Sequence, residues 1–451
     1  QALARMAFVR LEQPLPPKPA PAAHELGVLV VGAGPAGLAA AQALDQLGLA
    51  VTLVDKRKAS GGLAAVLSKL FPRMEEASAL LARLSSSSAS QYLGCELCDL
   101  RKEAGTATYL ATLKSDQTSR EERFAAVILA TGAQPVLPGS IFGADSRRGI
   151  ISQMELDSLL SAVEKGTKNV NDLPGHAVFV QCVHARNDEK PYCSTICCPT
   201  AVKNALRLRT LSPKARVTVL NRQMVMPGQS LETLYRSAMQ AGVHFVHVES
   251  LEQIRVEGES SVQAVVLASQ QGQRERRLPA DLLVCSTPLI PPQSTATLVK
   301  NLGLSQDRLG FLRGNEPAHP LESQAQGIFL AGSARWPATV DQAVEQGRAA
   351  AVLAAGYLRT RRMARDEEPD LGSAASIRQE RCSGCGRCAE ACPHGAIDLS
   401  PEGTARVCED LCGRCGVCCA VCPSGAAELA RGLPSPREIF TALSPWPRSR
   451  R

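Results

Sequence analysis

Residues 27–55 read GVLVVGAGPAGLAAAQALDQLGLAVTLVD. An apolar run of strand length meets glycines spaced G-x-G-x-x-G. An alanine-rich helical stretch follows, then a second apolar run closed by Asp55. This order fixes one β-α-β unit of a parallel sheet and gives its first turn a chemistry. Gly32 permits the tight turn. Gly34 lets the backbone approach a pyrophosphate at the helix N-terminus, and Gly37 lets the helix close on the strand. Asp55 can accept hydrogen bonds from a ribose hydroxyl. Pro35 and Ala36 in the first helical turn, with Lys56 after the acid, complete the predicted dinucleotide site.

Two later segments favour FAD over NAD. "ATG" (Ala130, Thr131, Gly132) closes a buried strand read over 125–132, and "GIFLAG" (327–332) precedes a long alanine-rich helix read over 339–361. The chain resembles here the flavoproteins built from two dinucleotide folds, in which both segments return to the FAD site. Gly332 and Ser333 then lie at the flavin end, where a helix N-terminus carries partial positive charge suited to reduced, anionic flavin. Such flavoproteins usually carry aspartate where Ser333 stands. The Gly61–Gly62 pair is read as a further close approach to the cofactor, with an ordinary turn as the alternative.

The chain has 17 cysteines. A secreted disulfide scaffold this rich in cysteine would be short, so metal or cluster ligation in a reducing, cytoplasmic setting is expected. Cys382, Cys385, Cys388 and Cys392 form C-x2-C-x2-C-x3-C-P, and Cys412, Cys415, Cys418 and Cys422 repeat it. This is the spacing of two 4Fe-4S clusters in which the fourth cysteine of each run serves the other cluster. One cluster takes Cys382, Cys385, Cys388 and Cys422. The other takes Cys412, Cys415, Cys418 and Cys392, leaving Cys408 and Cys419 surplus. A third group, Cys182, Cys193, Cys197 and Cys198, follows an apolar run at 177–180. Its pattern fits a zinc site, a disulfide pair or a cluster, although vicinal Cys197–Cys198 suits a tetrahedral zinc poorly. A strand at this point would often be followed by a second glycine-rich nucleotide loop, and cysteines stand there instead.

The expected architecture is α/β. Residues 1–26 read as an N-terminal helix and Pro-rich connector. Residues 27–172 and 286–362 read as the FAD-binding domain, and 173–285 as an inserted second α/β domain carrying cluster cysteines. Its strands are read in AVFVQC, RVTVLN, VHFVHV, VQAVVLA and DLLVCS. A linker (363–376), a bacterial-type two-cluster ferredoxin module (377–430) and a tail (431–451) follow. The net charge of +7 comes without a base-reading module or interleaved aromatics, so a solvated surface is expected and not nucleic-acid binding. The longest apolar stretch, 27–54, is broken by glycines, Pro35, Gln42, Asp45 and Gln46, and does not read as a membrane span. No secretory signal is read. The start at Gln1 suggests a processed product or a piece of a longer polypeptide.

Four stretches carry a closer resemblance: VVGAGPAGLAAA (30–41), VFVQCVHARNDEKPYCSTICC (178–198), GIFLAG, and IRQERCSGCGRCAEACPHGAI (377–397). On them, residues 1 to about 430 resemble the A subunit of heterodisulfide reductase, an iron–sulfur flavoprotein with a thioredoxin-reductase-like fold. The resemblance implies a 4Fe-4S cluster on Cys182, Cys193, Cys197 and Cys198 close to the flavin, hence three clusters and one FAD. It also implies a lysine near the flavin N5 at Lys203. The implied role is an electron-transfer subunit in which FAD converts between two-electron and one-electron transfer. Implied partners are other reductase subunits, a hydrogenase, formate dehydrogenase or NADH-oxidising module, ferredoxin, and a second copy of the chain.

Larger members of the family carry an additional N-terminal domain and a further two-cluster insertion. Residues 94–125 hold only Cys95 and Cys98, too few for that insertion. This favours relay over flavin-based electron bifurcation, a choice the sequence leaves open. Cys95 and Cys98 read as an incidental pair and not a redox dithiol. Cys285 reads as a buried apolar residue, and His184 as a polar neighbour and not a ligand. Two rival readings remain. One is a self-contained NAD(P)H oxidoreductase resembling the small subunit of glutamate synthase, which would need a second glycine fingerprint after Val180. The other is a cofactor-bearing scaffold that docks other subunits.

Overall fold

In the computed structural model of this chain the first apolar run is strand β1 (Val28–Val31), buried along its whole length as a central parallel strand must be. The structure describes residues 26–429 apart from 104–107, 117, 145, 269–274, 293–294, 316, 367–373, 402, 410 and 413–415. The helix expected within 1–12, the Pro-rich connector, Cys415, much of the linker and the tail therefore lie outside the described residues.

Helix α1 (Pro35–Gln46) starts on a proline, and β2 (Val51–Asp55) returns parallel to β1. After α2 (Ala77–Leu84), β3 (Ser90–Leu93) extends the sheet beyond β2. Three antiparallel strands, β4 (Cys95–Lys102), β5 (Tyr109–Ser115) and β6 (Ser119–Phe124), precede β7 (Ala126–Leu129), which pairs with the other edge of β1. Then β8 (Ile150–Ser152) and α3 (Gln153–Glu164) open a second sheet. It continues through β9 (His176–Val180), α4 (Cys197–Leu211), β10 (Arg216–Asn221), α5 (Gln229–Gln240) and β11 (Val243–His247). A second antiparallel triplet, β12 (Ile254–Glu257), β13 (Ala264–Leu267) and β14 (Arg276–Pro279), leads to β15 (Leu282–Cys285). Finally α6 (Thr295–Leu302), β16 (Ile328–Leu330) and α7 (Val340–Asp366) return to the first sheet.

The two parallel sheets run β16-β7-β1-β2-β3 and β8-β15-β9-β10-β11. Each is a middle layer. Val28 and Val30 pack on α1 and α7, whereas Leu29 and Val31 pack on β4–β6. In the second sheet Ala177 and Phe179 pack on α3, α4 and α5, whereas Val178 and Val180 pack on β12–β14. The sequence boundary at residue 172 put β8 and α3 in the first domain. Strand pairing puts both with the second sheet, because β8 registers against β15 from Ile150↔Leu283 to Ser152↔Cys285. The VQAVVLA run supplies β13 of an antiparallel triplet and not a parallel strand, and β4–β6 escaped the sequence reading altogether.

The chain divides into two compact units at Leu358/Arg359. Within the second, Gly386 and Gly416, both with φ +73°, introduce the short helices Arg387–Glu390 and Val417–Val421. Ladders pair Ser376–Ile377 with Ala427–Glu428, and Ile397–Leu399 with Ala405–Val407. The first ladder joins the two ends of the module, so its halves interlock. No helix among the described residues is long and apolar enough to cross a membrane.

Close approach explains two glycines. A Cβ on Gly37 would stand 1.7 Å from the Gly32 carbonyl oxygen, which confirms the packing role read from the motif. A Cβ on Gly347 in α7 would stand 2.1 Å from the Ala36 carbonyl oxygen in α1. The α1–α7 crossing therefore requires glycine at a position no motif marks. Gly347→Ala should destabilise the first unit by about 1–3 kcal/mol through overpacking. Urea denaturation checks this, and an unchanged midpoint would contradict the crossing.

Candidate redox site

The glycine turn, the end of β2, the "ATG" segment and the start of α7 converge on one groove. Of the predicted cofactor residues, Gly32, Gly34, Pro35, Ala36, Asp55, Lys56, Gly62, Ala130, Thr131, Gly132 and Ser333 line it. Gly37, Gly61 and Gly332 do not. Gly61 instead donates its N–H to the Ala33 carbonyl at 2.7 Å, and Gly332 donates to Gln346 Oε1 at 3.0 Å, so both fix the walls from behind. Gly62, at φ +57°, brings its backbone so near Gly34 that an added Cβ would stand 3.0 Å from the Gly34 Cα. Asp55 accepts from the backbone N–H groups of Ala33 (2.7 Å) and Arg57 (2.8 Å), which orients its carboxylate beside the turn. Thr131 Oγ1 is buried with no hydrogen-bond partner among the described residues. An unpaired buried hydroxyl beside backbone with no room for side chains fits a dinucleotide. Thr339 caps α7, accepting from Gln342 N–H at 3.2 Å, and Thr339 and Val340 line the groove, so the positive end of α7 faces it.

The groove continues to the second sheet, where Ile196, Cys197 and Thr200 line it. Strand β9 is followed by a loop strained at Cys182 (φ +63°), His184 (φ +59°), Arg186 (φ +57°) and Thr195 (φ +57°). These are left-handed conformations that side-chain-bearing residues rarely adopt and that cluster at functional sites. The loop folds Cys182 and Cys193 back toward Cys197 and Cys198, the first two residues of α4. Burial pushes the Cys198 thiol up to about 11, with the neighbouring Cys182 and Cys193 adding to it. Burial also raises Cys197 far above its ordinary value, with Cys198, Cys182 and Cys193 again adding. Cys182, Cys193, Cys197 and Cys198 thus stand near enough to interact electrostatically and form one group of thiols at the end of β9. Cys193 Sγ accepts the Thr195 N–H at 3.4 Å, and Cys197 Sγ lies 3.3 Å from the Thr287 carbonyl oxygen. Among the described residues, no three His, Cys, Asp or Glu side chains close on a point as the ligands of a single ion would. His184 Nε2 donates to the Pro138 carbonyl at 2.8 Å, and Cys285 is fully buried in the core.

Lys203 departs from its expected place. It is fully buried but does not line the groove. Its Nζ donates to Asp157 Oδ1 at 2.5 Å and to the Lys69 carbonyl at 2.9 Å. Asp157 also accepts from Arg207 Nη1 (2.7 Å), from Ser68 N–H (2.7 Å) and from Ser68 Oγ (2.8 Å). Arg207 in turn binds Glu164 at 2.8 Å. Burial alone would raise the Asp157 pKa. The Lys203 ammonium, the hydrogen bonds and Arg207 outweigh it and hold the carboxyl below its ordinary value. Leu67 and Phe71, on either side of Ser68 and Lys69, are groove-lining residues. Lys203 thus belongs to an ion cluster that ties the cysteine-bearing helix α4 to the groove wall. The motif reading missed this cluster because Asp157 carries no local signature.

Cys95 lines the groove, whereas Cys98 is exposed at the bulge between Leu97 and Asp99, with its thiol turned to the Glu96 carbonyl (3.9 Å). In the ferredoxin module two small cavities sort the cysteines. One is lined by Cys382, Cys385, Cys388 and Cys422, the other by Cys392, Cys412 and Cys418. The crossed ligand sets expected from the spacing are therefore brought together, with Cys415 outside the described residues. Backbone N–H groups of Ala405, Ala396 and Ala426 point at Cys382, Cys392 and Cys422 Sγ at 3.3–3.4 Å. Hydrogen bonding from Ser424, outweighing partial burial, brings the Cys422 thiol down to about 7, which favours the ligating thiolate.

Comparison with known proteins places these features in families. The sequence model described as pyridine nucleotide-disulphide oxidoreductase matches residues 26–347, and the 4Fe-4S binding domain matches 375–398. The chain is 33% identical, over 62% of its length, to an iron-sulfur A subunit of the CoB–CoM heterodisulfide reductase of Methanopyrus kandleri, covering 43% of that protein. It is 32% identical, over 51% of its length, to the A subunit of the ferredoxin:CoB-CoM heterodisulfide reductase of Methanosarcina acetivorans, covering 28%. It is 29% identical, over 69% of its length, to the A subunit of the H(2):CoB-CoM heterodisulfide,ferredoxin reductase of Methanothermobacter marburgensis, covering 47%. The chain thus spans less than half the length of these relatives. The fold matches thioredoxin reductases of Lactococcus lactis (TM-score 0.52, 18% identity) and T. acidophilum (TM-score 0.51, 17% identity). Each match covers 74% of this chain, with 100% and 99% of the respective reductase.

Asp157→Asn should expose the weight of the ion cluster. It leaves Lys203 and Arg207 buried without their shared counter-charge, at a cost of about 3–5 kcal/mol. Because the Asp157 pKa is depressed, its stabilisation is complete well above the ordinary aspartate value of about 3.9 and is lost as pH falls through the depressed value. Denaturation curves at neutral and acid pH check both points. A variant within about 0.5 kcal/mol of the parent at neutral pH would contradict them.

Proposed function

The chain belongs to the pyridine nucleotide-disulphide oxidoreductase family, and we propose that within it the chain is an FAD- and 4Fe-4S-containing electron-transfer subunit of a heterodisulfide-reductase-like complex. The observation that carries this reading is the continuity of the groove, from the glycine turn at Gly32–Gly34 to Cys197 at the head of α4. A cofactor held by the first sheet ends beside thiols held by the second.

The residues present fit the groups. The Gly32–Gly37 turn, Gly62 and Asp55 would hold the dinucleotide part of FAD, with Thr131 supplying a buried hydroxyl. Cys182, Cys193, Cys197 and Cys198 would hold a third 4Fe-4S cluster, in addition to the two of the ferredoxin module. Bound there, FAD supplies the exchange between two-electron and one-electron transfer. The rest is the work of this chain's residues. The aliphatic wall at Leu67, Ala338 and Val340 excludes water from one side of the groove. The α7 N-terminus favours negative charge at the groove end it faces. The Asp157 ion cluster fixes α4, and with it Cys197, against the groove wall.

The rival NAD(P)H oxidoreductase needs a nucleotide loop after β9. Cys182 and a strained cysteine loop occupy that position. Partners are proposed on the same footing: other reductase subunits, with a hydrogenase, formate dehydrogenase, NADH-oxidising module or ferredoxin as the source or sink of electrons.

Anaerobic reconstitution of the chain should give one FAD and about twelve iron atoms, from three four-iron clusters. Cys198→Ala should lower iron to about eight while leaving FAD bound. Iron near eight in the unsubstituted chain would remove the third cluster, and rapid flavin bleaching by NADH or NADPH would favour the rival.

A further inference from the structure

Strand β9 ends at Val180, but its ladder runs one residue further. The Gln181 N–H donates to the Leu220 carbonyl at 3.0 Å. Side chains along β9 alternate between faces: Ala177 and Phe179 meet α3 and α4, Val178 and Val180 meet β12–β14. The alternation puts Gln181 on the helix face. Helix α4 runs back from the end at which β9 finishes, so its first residues, Cys197 and Cys198, stand at that same end. The next residue, Cys182, turns away at φ +63° into the cysteine loop.

Gln181 is 1% exposed, and neither its Nε2 nor its Oε1 has a hydrogen-bond partner among the described residues. Native interiors leave few polar groups in this state, because burial without a partner forfeits the bonds made to water. A leucine would fill the same space without that penalty. The amide is explained if its partner is something the polypeptide does not supply.

We propose that Gln181 is a positioning residue for the cluster held by Cys182, Cys193, Cys197 and Cys198, donating from Nε2 to a cluster sulfur and so raising the cluster's reduction potential. This rests on the cluster reading given under the proposed function. Hydrogen bonds to sulfur favour the more negative, reduced cluster and are a recognised control on its potential. The Thr195 N–H aimed at Cys193 Sγ is a donor of the same kind from the backbone. Gln181 would add a side-chain donor from the strand side.

The test compares the full chain with Gln181→Leu and with Gln181→Met, which is close in length but lacks the donor. All are reconstituted with iron, sulfide and FAD, and titrated anaerobically under electron paramagnetic resonance. Subtracting Cys198→Ala identifies the signal of the third cluster. Both variants should keep their iron, while reduction of that cluster becomes about tenfold less favourable, a downward shift of ~59 mV for one electron. Ferredoxin-module midpoints should not move. In the iron-free protein the two variants should unfold at the same or higher urea than the parent, since each removes an unpaired amide. Unchanged midpoints with about twelve irons retained would overturn the Gln181 assignment alone. Destabilised iron-free variants would do the same, because the amide would then have a partner such as a buried water. About eight irons in the parent would remove the cluster, and the assignment with it.

Discussion

One buried carboxylate joins the two halves of the flavoprotein unit. Asp157 in α3 accepts from Lys203 and Arg207 of α4 and from Ser68, whose neighbours Leu67 and Phe71 line the groove. Two cations on one carboxylate would leave excess charge in the interior, and Glu164 balances Arg207 at the cluster's edge. Buried ions are tolerated only when paired and fully hydrogen-bonded, and removing one strands the others. The proposed electron transfer makes the same demand on the fold from another side: the cysteine-bearing end of α4 must keep one distance from the groove. The ion cluster fixes one end of that geometry and the left-handed cysteine loop fixes the other.

The parts legible in the sequence were those whose chemistry is local. The glycine turn announces itself because the close approach of Gly37 to the Gly32 carbonyl joins residues within one turn, and Asp55 lies one β-α-β unit on. The ferredoxin cysteines announce themselves for the same reason, and the cavities sort the described ones into the crossed sets their spacing implies. RVTVLN is a strand from its first residue to its last because its apolar run is bounded on both sides. What failed depends on contacts far apart in the chain. The short run Ile150–Ser152 has no strand signature of its own, and only pairing with Leu283–Cys285 assigns it to the second sheet. Lys203 is five residues after Cys198, and its sequence position says nothing of Asp157, 46 residues earlier. Gly347 looks like any helical glycine until Ala36 is brought against it.

The second sheet shows how one fold admits different chemistry. In a sheet of this kind ligands gather at the carboxyl ends of the strands. At the end of β9 the chain offers neither glycines nor an open helix N-terminus. It offers thiols, two of them built into the first turn of α4. The groove of the first sheet is retained, and the partner it faces has changed from a nucleotide loop to a set of potential ligands.

The central claim is that iron–sulfur chemistry occupies this position. Diffraction from crystals of the reconstituted chain, collected at the iron absorption edge, tests it directly. The account predicts a compact anomalous peak of four irons at the Cys182–Cys198 loop, beside the groove and separate from those of the ferredoxin module. Anomalous density confined to the ferredoxin module, with the four thiols of the loop bound to no metal, would contradict it.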